Sequence, residues 1–146
     1  RDRDVTGVQT CALPILRRRW AKRMNTISTL AAPAAIGPYS QAIVVGSMVY
    51  TSGQLPVNPT NQEVVNGGIA EQAEQVFENL SAVLKAAGTN LSNTIKTTCF
   101  LADMSDFPVF NSIYEKYFPN KPARSCVAVK SLPKGVLVEV ETIAVI

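Results

Sequence analysis

The chain has 146 residues, with 14 Lys+Arg against 11 Asp+Glu, three cysteines and no histidine. That length suits one compact domain with a real core, and no run approaches the roughly 18 apolar residues of a membrane span. Without histidine there is no Ser-His or Cys-His nucleophile pair, no histidine general base and no histidine-liganded zinc, and cysteines that lack CxxC spacing suggest neither a disulfide framework nor a metal site. Free thiols in a reducing, cytoplasmic setting fit this usage.

The apparent basicity is local. Residues 1–23 hold seven of the 14 basic residues and two of the 11 acidic ones, which leaves seven bases against nine acids in the remainder, a net charge of −2. A slightly acidic body lacks the electrostatic footprint of a nucleic-acid binder. The leading stretch has no helical or strand periodicity and ends in Arg17-Arg18-Arg19-Trp20-Ala21-Lys22-Arg23, just before Met24. Asp2 and Asp4 do not suit a transit peptide, and the apolar run Ala12-Leu13-Pro14-Ile15-Leu16 is too short for a secretory signal. The run from Asp4 to Ile15 resembles translated sequencing-adapter sequence, so residues 1–23 are expected to be a non-native or disordered extension and residues 24–146 the domain.

From Met24 to Pro38 the chain is small and proline-punctuated, an extended lead-in. Tyr39–Val45 and Met48–Ser52 predict two strands joined by a type II′ turn at Gly46-Ser47. Gly53 to Gly68 is a long loop, a length that implies function or mobility. Next, Ala73, Val76, Phe77, Leu80, Val83, Leu84 and Ala87 recur at three- and four-residue steps, the mark of a helix with one buried face, and Gly88 is a natural stop. Glu71 and Glu74 at its start and Lys85 at its end match the helix dipole. Thr94–Ala102 reads as a strand, Phe107–Phe118 as a second helix, and Arg124–Lys130 and Gly135–Ile146 as the last two strands.

The order ββαβαββ predicts a single α+β domain with a mixed sheet packed on two helices. In the last strand Val138, Val140, Thr142, Ala144 and Ile146 line one face, while Leu137, Ile143 and Val145 flank Glu139 and Glu141 on the other. Both faces are substantially apolar, yet two helices cover only one. The other face is expected to be buried by a second subunit, which makes the protein a homo-oligomer.

The body contains one arginine, in Pro122-Ala123-Arg124-Ser125-Cys126-Val127. Alternation puts Arg124, Cys126 and Ala128 on one face and Ser125, Val127 and Val129 on the other. A guanidinium is a rigid fork for a carboxylate or phosphate. The plainer alternative is an edge-strand arginine beside a structural cysteine.

Five segments then fall together in order: Ile36-Gly37-Pro38-Tyr39-Ser40-Gln41-Ala42, Thr51-Ser52-Gly53-Gln54-Leu55-Pro56, Lys96-Thr97-Thr98, Pro122-Ala123-Arg124-Ser125-Cys126-Val127 and Leu132-Pro133-Lys134-Gly135. Over essentially all of residues 24–146 the chain resembles the RidA (YjgF/UK) family of imine deaminases. The resemblance implies a chorismate-mutase-like fold and a homotrimer with pockets at its subunit interfaces. It implies hydrolysis of 2-imino acids and their enamine tautomers, such as 2-aminoacrylate and 2-iminobutyrate, to 2-keto acids and ammonia. No cofactor or metal is implied, and the imines would come from pyridoxal-phosphate-dependent dehydratases. Carried over by position, Arg124 is the substrate-carboxylate arginine, Glu139 positions the attacking water, and Cys126 is a pocket thiol. Tyr39, Ser52, Gly53 and Asn111 correspond to further substrate contacts. The short link Phe118-Pro119-Asn120-Lys121-Pro122 departs from longer ones in the family, which bears on the pocket rim.

These residue types suit the chemistry. Imine hydrolysis needs a grip on the carboxylate, one water held in line with the carbon, and proton shuttling; Arg124 and Glu139 supply these if they share a pocket on neighbouring strands. Cys126 has no histidine to activate it as a nucleophile, so packing and ligand contact are its expected roles. Glu141, on the same face as Glu139, is expected to be structural, and Cys99 to be core. Three alternatives stand beside the enzyme: a carboxylate-binding sensor without catalysis, an endoribonuclease or translation inhibitor, and a holdase acting through exposed apolar surface.

Overall fold

The computed structural model describes residues 24–146; the reading of residues 1–23, with Cys11 and Trp20, lies outside them. One six-stranded sheet carries the domain. Its strands are β1 (Met24–Ile27), β2 (Ala42–Val45), β3 (Met48–Thr51), β4 (Thr94–Leu101), β5 (Ala123–Ala128) and β6 (Val138–Val145). Two helices, α1 (Ile69–Ala86) and α2 (Phe107–Tyr117), pack on one side. The sheet order is β1-β2-β3-β6-β4-β5, antiparallel throughout except for the β4–β5 pair, which α2 connects as a crossover. The α+β reading with a mixed sheet and two helices is thus the observed architecture. No helix among the described residues is long and apolar enough to cross a membrane.

The local reasons are visible in the chain. Helix α1 begins where the Glu71 carboxylate accepts from the Gly68 amide at 2.8 Å, and it ends at Gly88, whose φ of +87° reverses the chain. Gly46 takes the positive φ (+60°) needed at the first central position of the β2–β3 turn. Several boundaries move. Tyr39 to Gln41 precede β2 rather than belong to it, and β5 and β6 are shorter than their sequence patterns suggested. The lead-in contributes an additional strand, β1, paired antiparallel with β2. Met-Asn-Thr-Ile carries no burial pattern, because an exposed edge strand is made by its partner's hydrogen bonds rather than by a buried face.

The loop from Gly53 to Gly68 is tied down. Gln54 bridges to Val140, Val57 bridges to Val64, and the buried Asn79 amide donates to the carbonyls of Leu55 and Val57 at 3.0 and 2.9 Å. The core lies between the helices and the sheet, with Val76, Phe77, Leu80, Phe110, Cys99, Leu101, Val138 and Val140 fully buried. Phe77 is its hub, with Phe110, Tyr114, Tyr117 and Phe118 at centroid distances of 5.1–5.8 Å. Truncating it removes these contacts and leaves a cavity. Phe77→Ala is expected to lower unfolding free energy by about 3–5 kcal/mol, measured as a lower urea midpoint with an unchanged m-value.

Candidate functional site

The functional residues read from the sequence form two groups, separated by the sheet. The first surrounds Arg124 on the helix side. β5 pairs with β4 so that Thr97 lies beside Arg124 and Cys99 beside Cys126. Asn111, in the second turn of α2, accepts from Arg124 Nη1 at 2.8 Å. The guanidinium carbon sits 4.5 Å from the Tyr114 ring centroid and 5.4 Å from that of Phe107. Tyr114 is itself fixed by a buried 2.7 Å hydrogen bond between its hydroxyl and that of Thr97. The arginine is therefore held by an amide and two aromatic faces. None of these neutralises its charge, so an anion retains a full electrostatic attraction to it. Cys126 is half-buried next to it. Its thiol is lowered to about 7, first by contact with the Cys99 thiol and then by the Arg124 charge, against the opposing effect of burial.

The second group lines a cleft of about 770 Å³ on the opposite side, with Tyr39, Ser52, Gly53 and Glu139 among its walls. Three tethers build it. The buried Gln41 side chain accepts from the Thr29 amide at 2.7 Å and donates to the Thr29 and Pro33 carbonyls at 3.0 and 2.7 Å, which holds the lead-in as one wall. Ser52 donates its hydroxyl to the Ser40 carbonyl at 2.6 Å and its amide to the Gln41 carbonyl at 2.9 Å. The paired bonds between Gln54 and Val140, at 2.8 and 3.2 Å, then lay Gly53 across the Glu139 side chain. A Cβ on Gly53 would overlap that carboxylate, coming within 2.8 Å of Glu139 Cδ, so a side chain there would push Glu139 out of its present position. Burial, and secondarily the neighbouring Glu141 charge, raise Glu139 above the usual carboxylate range. Pro133 and Lys134 close the cleft from the turn before β6, with Lys134 at a left-handed φ of +57°.

The expectation that Arg124 and Glu139 share a pocket on neighbouring strands is corrected within one subunit. β4 lies between β5 and β6. In β4 the core residue Cys99 opposes both Cys126 and Val140, while Phe100 opposes Glu139. Arg124 and Cys126 therefore share the helix-covered face with Cys99 and Val140, and Glu139 points to the other face. Glu141, read as structural, lines the same cleft as Glu139. The sequence reading also missed Tyr114 and Thr97 as supports of Arg124. Tyr114 was visible as a member of the buried stripe, but nothing in the pattern signals that its hydroxyl meets Thr97.

The sequence profile of the family described as Endoribonuclease L-PSP matches residues 29–146. The human protein named 2-iminobutanoate/2-iminopropanoate deaminase is 48% identical over 122 residues, covering 83% of this chain and 89% of its own. A Lactococcus lactis protein bearing a regulator's name, AldR, is 53% identical over 122 residues, covering 83% of this chain and 97% of its own. Among solved structures, E. coli TdcF with bound serine superposes with a TM-score of 0.80 at 44% identity, covering 84% of this chain and 98% of that one. A match that runs from the lead-in through the last strand, over the same segments that carry the motifs, makes the chain a member of the endoribonuclease L-PSP family, the RidA (YjgF/UK) family those motifs resemble.

Proposed function

We propose that the protein hydrolyses small 2-imino acids, such as 2-iminobutyrate and the imine of 2-aminoacrylate, to 2-keto acids and ammonia, in a pocket completed by a second copy of the chain. The observation that carries this reading is the charged Arg124 fork, held without a carboxylate partner among the described residues, in a family whose human member is named for this reaction. A relative solved with bound serine, another small amino-acid carboxylate, points the same way.

In this reading Arg124 pairs with the substrate carboxylate, with Asn111 and the Tyr114 face fixing the fork and Cys126 packing alongside. Glu139 accepts a hydrogen bond from water and directs it at the imine carbon. Water adds to the C=N carbon, its proton passes through Glu139 to the nitrogen, and the resulting carbinolamine expels ammonia to leave the keto acid. Tyr39, Ser52 and Gly53 form the wall behind Glu139. Because one subunit separates Arg124 from Glu139 by its sheet, the working pocket takes Arg124 from one protomer and Glu139 from the next. A cyclic homotrimer with three such interfaces fits, and the half of the sheet face without helices is the surface it would cover. The imines are products of pyridoxal-phosphate-dependent dehydratases, and the setting is cytoplasmic. A ribonuclease reading is disfavoured by the two carboxylates in the cleft, which repel a phosphodiester backbone.

The first test supplies imine from a threonine dehydratase and follows the appearance of 2-ketobutyrate, with semicarbazide as a competing trap. The parent should accelerate it. Arg124→Lys keeps the charge but loses the fork, and should cost about 10- to 100-fold in kcat/KM. If the folded, oligomeric parent gives no acceleration, the deaminase reading fails, and a carboxylate-binding regulator replaces it.

Assembly is tested by complementation. Arg124→Ala and Glu139→Gln should each be inactive, the latter losing about 10²–10⁴-fold. Co-assembled in equal amounts, they should recover about a quarter of parental activity, since that share of randomly formed head-to-tail interfaces carries both intact residues. No recovery from verified mixed oligomers would place both groups in one subunit.

The raised Glu139 pKa sets the acid limb of the pH profile. The carboxylate form is the active one, so activity should fall as pH drops through a value above the ordinary glutamate range. Glu141→Gln removes the neighbouring charge and should move that limb to lower pH. An unmoved limb would assign it to another group.

A further inference from the structure

The deaminase chemistry asks nothing of Cys99, yet its position is specific. Cys99 and Cys126 stand opposite each other in the parallel pairing of β4 and β5. Both belong to the helix-covered side of the sheet, where Cys126 packs against the core cluster that contains Cys99. Neighbouring strands lie about 4.8 Å apart, inside the Cα separation of about 4.4–6.8 Å that a disulfide spans. Access to the two thiols differs. Cys99 is fully buried, with its sulfur 3.9 Å from Thr97 Oγ1, whereas Cys126 is half-buried on the edge strand beside Arg124.

We propose that Cys99 and Cys126 are a peroxide-sensitive dithiol pair, in which Cys126 reacts first and Cys99 closes a disulfide between β4 and β5. This is independent of the deaminase reading. The Cys99 contact and the Arg124 charge hold Cys126 below the usual thiol range, which favours the thiolate, the nucleophilic form. Its sulfur attacks one oxygen of a hydroperoxide, the O–O bond breaks, and the departing alkoxide or hydroxide takes a proton from water, leaving a sulfenic acid on Cys126. Cys99 starts with its pKa pushed well up, by contact with Cys126, by burial and by the Cys126 charge. The Cys126 charge is gone once Cys126 becomes a neutral sulfenic acid. The Cys99 sulfur then attacks the Cys126 sulfur, the S–O bond breaks, and hydroxide leaves with the Cys99 proton as water. Overall, one peroxide is reduced to alcohol and water, or to two waters, while two thiols become one disulfide. The bond would draw the Cys126 sulfur into the sheet and away from the Arg124 pocket.

The test uses the full chain treated with hydrogen peroxide under native conditions, then alkylated and digested with trypsin. Cleavage after Lys96, Lys116, Arg124 and Lys130 isolates Cys99 in residues 97–116 and Cys126 in residues 125–130, separate from Cys11. The expected product is these two peptides joined, and separated again by dithiothreitol. In Cys99→Val, Cys126 has no resolving partner and should carry two added oxygens as sulfinic acid instead. The proposal is overturned if the parent yields Cys126 as sulfinic acid without the cross-link, or if both peptides return alkylated. The parent measurement decides by itself should the variant fold poorly.

Discussion

Along β4, β5 and β6 successive side chains turn to opposite faces of the sheet, and the two helices cover only one of those faces. The chemical groups on these three strands are sorted by that rule. Thr97, Cys99, Arg124, Cys126 and Val140 turn inward toward α1 and α2; Lys96, Ser125, Glu139 and Glu141 turn outward. A register slip of one residue in β6 would exchange Val140 for Glu139 in the core, so the burial of Val138 and Val140 is also what holds Glu139 in its cleft. Packing and function are fixed by the same alternation.

The two sides achieve precision differently. On the helix side, rigidity comes from aromatic mass: Phe77 anchors Tyr114, Thr97 fixes its hydroxyl, and the ring then presents a face to Arg124. An acidic partner would also immobilise the guanidinium, but it would compete with any anionic ligand. On the cleft side, rigidity comes from backbone hydrogen bonds. Gln41, Ser52 and Gln54 stitch the lead-in and the loop after β3 to the sheet, and the absence of a side chain at Gly53 lets the Glu139 carboxylate lie against the main chain. That closeness desolvates the carboxylate and favours its protonated form.

What the sequence made legible follows from the range of the interactions involved. The helical period of Val76, Phe77, Leu80 and Leu84 is a local signal and survives in the structure nearly residue for residue. So does the alternation that pairs Arg124 with Cys126 and Glu139 with Glu141. Alternation, however, assigns faces only within a strand. Whether Arg124 and Glu139 share a face depends on β4 inserting between their strands, a long-range pairing that no local pattern contains. β1 escaped for a related reason: its four residues bury almost nothing, and only β2 makes them a strand. Gly53 was legible as part of a motif, but its reason, a carboxylate far along the chain, was not.

The division by the sheet also bears on how such a site works. A lone subunit holds a grip for an anion on one face of its sheet and a carboxylate in a cleft on the other, and neither accelerates an imine hydrolysis well by itself. Drawing the two from different protomers, on the deaminase reading, keeps Arg124 and Glu139 apart within one chain, where a direct ion pair would lower Glu139 and occupy the fork. On the deaminase reading, assembly is therefore part of the catalytic apparatus, and the helix-free face of the sheet serves chemistry as much as stability.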